Sequence, residues 1–134
     1  MPRKTDANNP ADWLEIAACD LTGVCRLVNE QLCFAMCRSK LAEILEKILK
    51  AELIRTGWPL EKTHDLERLR KELRSRDAVL GNSLESLCID LAEVYFTSRY
   101  PGFDLEDEDW PALRAQLDQV SEVFATVKAR VATK

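Results

Sequence analysis

The chain has 134 residues, of which 46% are hydrophobic and 31% are charged; this excludes a disordered or low-complexity chain and predicts one folded domain. Its 19 basic and 23 acidic residues give a formal net charge of −4, so an anionic partner requires a local basic patch. The sequence contains no run of about 18 apolar residues that could span a membrane, and its first residues lack the apolar core of a signal peptide. We therefore expect a cytoplasmic protein without membrane contacts. We expect residues 1–8 to form a flexible N-terminus and residues 9–134 to form a single helical domain.

The first two helices are predicted from capping residues and apolar spacing. Asn9 can cap a helix whose first position is Pro10, and apolar residues then recur every three or four positions to about Glu30. A long central helix is predicted from about Leu32 to Thr56. On its solvated side we expect two i,i+4 ion pairs, formed by Glu43 with Lys47 and by Glu46 with Lys50.

The cysteine pattern argues against a disulfide framework and against a structural zinc site. The five cysteines are an odd number without a Cys-x-x-Cys pair, and only one histidine is present to share the ligation. We interpret them as free buried thiols in a reducing compartment, and we expect no metal ion and no cofactor. The alternative is a metal or a redox bond shared by Cys33 and Cys37, four residues apart. The full set is Cys19, Cys25, Cys33, Cys37 and Cys88.

The remaining helices are shorter, except the last. After a loop in which Trp58 is expected to act as an anchor, Thr63 is predicted to cap a third helix that fades near Asp77. Asn82 and Glu85 have the spacing of a capping box for a fourth helix, which continues to Arg99-Tyr100. An acidic connector, interpreted as a solvated loop, leads to a final helix that starts around Trp110. The sequence therefore predicts an all-α, antiparallel four- to five-helix bundle.

Three segments together carry a resemblance to a known family. They are Ala42 to Ala51, Thr63-His64-Asp65-Leu66, and Arg99-Tyr100-Pro101. In order and spacing they resemble the HEPN domain, a helical module, and the resemblance covers Asp12 to Val131. It implies a four- or five-helix bundle and frequent homodimers. It also implies, from many bacterial members, a partner with a minimal nucleotidyltransferase fold, often in a toxin–antitoxin arrangement.

The ribonuclease motif of many HEPN domains, Arg-x(4–6)-His, is missing from this chain. No arginine stands at the required distance before His64, the single histidine. At the corresponding distances after Arg99 stand Asp104, Leu105 and Glu106. The sequence instead resembles the branch of the family that carries Arg-Tyr-Pro, so we predict no catalytic residue and favour a protein that is not an enzyme.

A phosphate-bearing ligand is predicted to bind beside the third helix. From Lys62 to Arg76, six basic residues stand against three acidic ones, a balance of +3. A free helix N-terminus at Thr63-His64 would add backbone N–H donors. Together with the resemblance, this predicts a ligand-binding set of Lys50, His64, Arg68, Arg99 and Tyr100.

Each of these residues also has a purely structural interpretation. His64 can cap a turn or pack over Trp58, and Lys50 can pair with Glu46 on a solvated face. Arg99 can stabilise a helix C-terminus while Tyr100 packs beneath Pro101. The basic run can be a solvated helix that keeps the protein soluble.

Three functions therefore stay open at this point. The first is a non-catalytic HEPN domain protein that binds a nucleotide-like ligand, a minimal nucleotidyltransferase partner, or both, as toxin or antitoxin. The second is a dimeric HEPN enzyme that acts on RNA without the Arg-x(4–6)-His motif. The third is a plain protein-interaction adaptor. The expected partners are a second copy of the chain, a nucleotidyltransferase-fold protein, and a nucleotide or RNA.

Overall fold

The computed structural model describes residues 3–92, 101–102 and 107–133. Within those residues all regular secondary structure is helical, which confirms the predicted helical bundle. None of the helices described is both long and apolar enough to cross a bilayer. The helices are α1 (Pro10–Glu30), α2 (Phe34–Arg55), α3 (Leu66–Arg76), α4 (Ala78–Ser83), α5 (Glu85–Ala92) and α6 (Trp110–Ala132).

Helix α1 begins at the residue that the capping signals predicted, and α6 begins at Trp110, where the sequence predicted its start. The Asn9 side chain accepts a hydrogen bond from the Ala11 N–H at 3.0 Å, with Pro10 at the first helical position. Asp109 accepts in the same way from the Ala112 N–H at 3.0 Å, again with a proline in the first turn. Both caps satisfy N–H groups that have no partner inside the helix.

Helix α2 is the centre of the bundle, and α1, α3, α5 and α6 all pack against it. Its apolar side chains are buried along nearly its whole length, from Phe34 to Leu53. Three charged residues of α2 are buried with them: Glu46 is 8% exposed, Lys50 4% and Glu52 1%. The prediction that Glu46 and Lys50 lie on a solvated face is therefore wrong, because neighbouring elements cover this helix on more sides than its apolar stripe indicates.

Buried Glu52 joins three parts of the fold through arginine partners. Its carboxylate accepts hydrogen bonds from Arg55, one turn later on α2, and from Arg130 of α6. Arg130 Nη1 also lies 2.9 Å from Asp77 Oδ2, at the junction of α3 and α4. The hydrogen bond from the Leu80 N–H, followed by the Arg130 guanidinium, holds the pKa of Asp77 below its usual range. Removing one partner of such a buried carboxylate typically lowers the free energy of unfolding by about 3–5 kcal/mol.

Two predicted helix starts differ from the structure. Asp65, rather than Thr63, caps α3, accepting from the N–H groups of Glu67 at 3.1 Å and Arg68 at 3.2 Å. Asn82 lies inside α4, which Asp77 caps, and Leu84 separates α4 from α5. Thr63 instead accepts from the Asp65 N–H at 3.2 Å, so its hydroxyl shapes the loop before the helix. The predicted continuation toward Arg99-Tyr100 lies outside the described residues.

The cysteines are free thiols, but they are not all buried. Cys37 and Cys88 lie in the core, and burial raises the pKa of Cys88 to about 12. Cys19 and Cys33 are exposed, which corrects the prediction of buried thiols: both stand on the outer side of α1 or at the turn that follows it. Within the described residues no cluster of three His, Cys, Asp or Glu side chains is arranged to hold a metal ion.

The segment before α1 folds back onto that helix. The Arg3 guanidinium pairs with buried Asp12, which also accepts from the Asp6 N–H at 2.8 Å. Trp13 Nε1 donates to the Ala7 carbonyl at 2.7 Å. The hydrogen bond from Arg3 is the main cause that lowers the pKa of Asp12 to about 2, from an ordinary value of 3.8. The division into a flexible segment 1–8 and a domain 9–134 stays a prediction.

Gly81 marks the closest approach between α3 and α4. A Cβ atom added there would lie 2.5 Å from the Arg74 Cα atom, a backbone contact that a side-chain rotation cannot relieve. Gly23, in the exposed part of α1, has no atom within 4 Å of the corresponding position. The two glycines therefore form a matched pair for substitution.

We expect Gly81→Ala to lower the free energy of unfolding by about 1–3 kcal/mol, because α3 and α4 must move apart. Gly23→Ala should raise it by about 0.5–1 kcal/mol, because alanine restricts the unfolded chain and favours a helix. Urea unfolding followed by circular dichroism measures both. Equal effects of the two substitutions would contradict the close approach.

A second prediction concerns acid stability. Because the pKa of Asp12 is lowered on folding, its ion pair stabilises the fold above the ordinary carboxyl pKa, and this stabilisation is lost as the pH falls toward about 2. Arg3→Ala should therefore lower the melting temperature at pH 7, and the two proteins should converge near the acid limit. Arg26→Ala, which removes an exposed pair with Glu30, is the control. A difference between Arg3→Ala and the parent that stays constant with pH would contradict this assignment.

Candidate functional site

The single histidine is held above α2 by the loop between α2 and α3. Trp58 anchors this loop: its side chain is buried, and its backbone N–H donates to the Leu53 carbonyl at 2.9 Å. At the other end of the loop, His64 Nδ1 lies 3.0 Å from Glu46 Oε1 and 3.2 Å from Oε2. The side chain of His64 is 63% exposed. The predicted role of Trp58 as a loop anchor is confirmed, whereas His64 contacts a carboxylate of α2.

Glu46 connects His64 to a buried cation. Lys50 Nζ lies 3.0 Å from Glu46 Oε2 and 5.4 Å from the centre of the Trp13 ring. The ammonium group is therefore neutralised by a carboxylate on one side and covered by an aromatic face on the other. A phosphate could reach Lys50 only by displacing one of these neighbours, so Lys50 supports Glu46 rather than facing solvent.

The basic run of α3 divides into paired and unpaired cations. Arg70 is buried and pairs with Glu67 at 2.7 Å, which lowers the pKa of that carboxyl, and also donates to the Gly81 carbonyl at 3.3 Å. Arg68 pairs with Glu61 at 2.6 Å, and Arg76 pairs with Glu72 at 3.2 Å. Within the run from Lys62 to Arg76, all of which the structure describes, Lys62, Lys71 and Arg74 form no ion pair.

Three of the exposed cations share one side of α3. Arg68, Lys71 and Arg74 follow one another at three-residue steps, and all three are exposed. Residues at this spacing lie on one side of a helix, and they extend over about 9 Å of its length. We call this set the α3 basic face. Arg68 pairs at the surface with Glu61, whereas Lys71 and Arg74 form no ion pair with the described residues.

The N-terminus of α3 is not a free anion site. The Asp65 carboxylate accepts from two of the first N–H groups, at the place where a bound phosphate would accept. The predicted backbone contribution from Thr63-His64 is therefore taken up by the chain's own cap. An anion at α3 would bind to side chains of the basic face.

The structure brings together only part of the predicted ligand set. Lys50 and His64 meet through Glu46, while Arg68 belongs to the α3 basic face. Arg99 and Tyr100 lie outside the described residues. The prediction overlooked Glu46 and Trp13 as members of the site, although the i,i+4 spacing of Glu46 and Lys50 indicated their ion pair.

A comparison with protein families places the whole helical region in one family model. The HEPN domain model matches residues 11–130, from the first turn of α1 to the last turns of α6. No curated protein and no solved structure matches the chain. The match covers every element of the candidate site described above.

Proposed function

The chain belongs to the HEPN domain family, and we propose that it is a non-catalytic member that binds a nucleotide-like anion on the α3 basic face. The observation that supports this most directly is the distribution of charge in a chain of net charge −4. The acidic residues of α3 are occupied by Arg70 and Arg76, or by the helix cap, and the basic face stays positive. Local charge of this kind attracts phosphates, which lose counterions when they bind.

Exposed His64 adds a polar group on the loop that leads into the basic face. It is fixed through Glu46, so its imidazole is oriented before any ligand arrives. Arg68 contacts Glu61 at the surface, and an exposed pair of this type is weak enough to exchange its partner. The ligand contacts that we propose are accordingly His64 and Arg68, joined by Lys71 and Arg74, with Lys50 as a support; Arg99 and Tyr100 stay proposed contacts.

We further propose that the chain forms a homodimer and that it binds a partner with a minimal nucleotidyltransferase fold. The two proteins would form a toxin–antitoxin pair in the cytoplasm. The support is the family membership, together with the resemblance to the Arg-Tyr-Pro branch. The same anionic ligand would then link the two proteins, because a nucleotidyltransferase handles nucleotides.

The binding proposal is tested by removing the basic face as a unit. Arg68, Lys71 and Arg74 are replaced together by alanine, and the affinity for ATP and for a single-stranded 20-nucleotide RNA is measured by calorimetry and fluorescence anisotropy. We expect affinity to fall about tenfold or more. The slope of log affinity against log salt should also flatten by about 2 for RNA, because three phosphate contacts are lost.

The matched control removes the same charge elsewhere. Arg26, Lys40 and Arg114 are surface residues outside α3, and replacing all three by alanine should leave both quantities close to those of the parent. If the parent binds neither probe, or if the two triple variants lose affinity equally, the proposed site is wrong. Stable binding of another protein without either probe would then favour the adaptor function.

A second candidate function, an enzyme that acts on RNA, is favoured by the contact between His64 and Glu46. A carboxylate beside Nδ1 orients an imidazole, as in sites of general acid–base catalysis. Here Lys50 holds the carboxylate in place from the buried side. The arrangement supplies a positioned proton-transfer group without the Arg-x(4–6)-His motif.

Cleavage of the same RNA in the presence of a chelator distinguishes this candidate. If His64 transfers protons, His64→Ala should reduce the rate of cleavage by about 100-fold or more. Asn82→Ala, at another exposed position, is the control, and circular dichroism checks that both variants are folded. No cleavage by the parent protein, or equal cleavage by parent and His64→Ala, would reject this candidate and leave the binding function.

A further inference from the structure

An apolar groove lies on the outer side of the bundle between the first and last helices. Its volume is about 480 Å³, and one acidic and one basic residue, Glu15 and Lys128, stand among its apolar walls. The Lys128 ammonium lies 5.9 Å from the centre of the Phe124 ring. The Glu15 side chain is 74% exposed, and its carboxylate lies 3.2 Å from Arg3 Nη2, an exposed pair that is weak enough to exchange its partner. The apolar lining consists of Ala11, Leu14, Ala18, Phe124, Val131 and Ala132.

The register of the two helices places the opposite charges at one level. Pro10 and Thr133 line a common cavity at one end, and Arg114 donates to Asn29 at the other, so α1 and α6 are antiparallel. Glu15 follows Pro10 by five residues, and Lys128 precedes Thr133 by five residues. The acidic residue and the basic residue, which both line the groove, therefore lie at about the same height on the two helices.

This arrangement makes the groove complementary to itself. A two-fold axis parallel to α1 and α6 would place α1 of one copy over α6 of the other without changing the height of any residue. Each Glu15 would then meet a Lys128 of the other copy, twice in one interface. At nearly the same height, the small side chain of Ala18 on one copy would face the Phe124 ring of the other.

We propose that the α1–α6 groove is the surface on which a second copy of this chain docks, with reciprocal pairs of Glu15 and Lys128. The inference rests on the homodimer of the proposed function and specifies the surface that forms it. Docking removes the apolar walls from water, which is the main source of affinity in such interfaces. The two charge pairs select the register and exclude the arrangement in which like charges meet.

Charge reversal tests the pairing directly. Glu15→Lys and Lys128→Glu each place two like-charge contacts in the symmetric interface, so each should raise the dimer dissociation constant about tenfold or more. The double variant restores opposite charges and should return the dissociation constant to near that of the parent protein. Sedimentation equilibrium of the full chain measures all four proteins at low salt, where such pairs are least screened.

Two controls separate the outcomes. Glu122→Lys reverses an exposed charge on the other side of α6 and should leave the dimer unchanged; circular dichroism confirms folding of each variant. If the parent stays monomeric at every concentration, both the homodimer and this surface are wrong. A dimer that neither single reversal weakens overturns the surface alone, and so does a double variant that is no tighter than the two single variants.

Discussion

Helix α2 carries three charged side chains into the middle of the bundle, and the contacts that neutralise them hold the surrounding elements in place. Glu52 is satisfied from α2 and α6, and through Arg130 this also reaches the α3–α4 junction. Glu46 is satisfied by Lys50 and by His64 from the loop before α3. An unpaired buried charge costs several kcal/mol, so neither the loop nor α6 can move far without losing one of these partners.

The same constraint separates two kinds of cation on this protein. Lys50, Arg70 and Arg130 neutralise carboxylates within the fold, and their charge is already used. The exposed residues Lys71 and Arg74 form no such pair with the described residues, and they lie where a ligand can approach without breaking the core. Within the basic run of α3, which looks uniform in the sequence, Arg70 therefore stabilises the fold, whereas Lys71 and Arg74 are the cations assigned to recognition in the proposed function.

Local signals in the sequence predicted the positions of the helices. They did not predict the features that depend on which side chains are buried. Asn9 and Pro10 give the start of α1 because capping depends on a few adjacent residues. Asp65 rather than Thr63 caps α3, and the loop before this cap is held by the Trp58 anchor and by the pair of Arg68 with Glu61, which are contacts that residue spacing does not show. Likewise the i,i+4 pair of Glu46 and Lys50 was visible, but its burial and its contact with His64 depend on neighbours distant in the chain.

The five thiols differ in their exposure to solvent, and therefore in their reactivity. Cys19 and Cys33 stand in solvent, whereas Cys37 and Cys88 are enclosed and burial raises the pKa of both. Since the thiolate is the form that reacts with alkylating reagents, the enclosed pair reacts only when α2 or α5 opens. The native cysteines thus distinguish surface positions on α1 and its following turn from the interior, and they report local opening of the core without any engineered label.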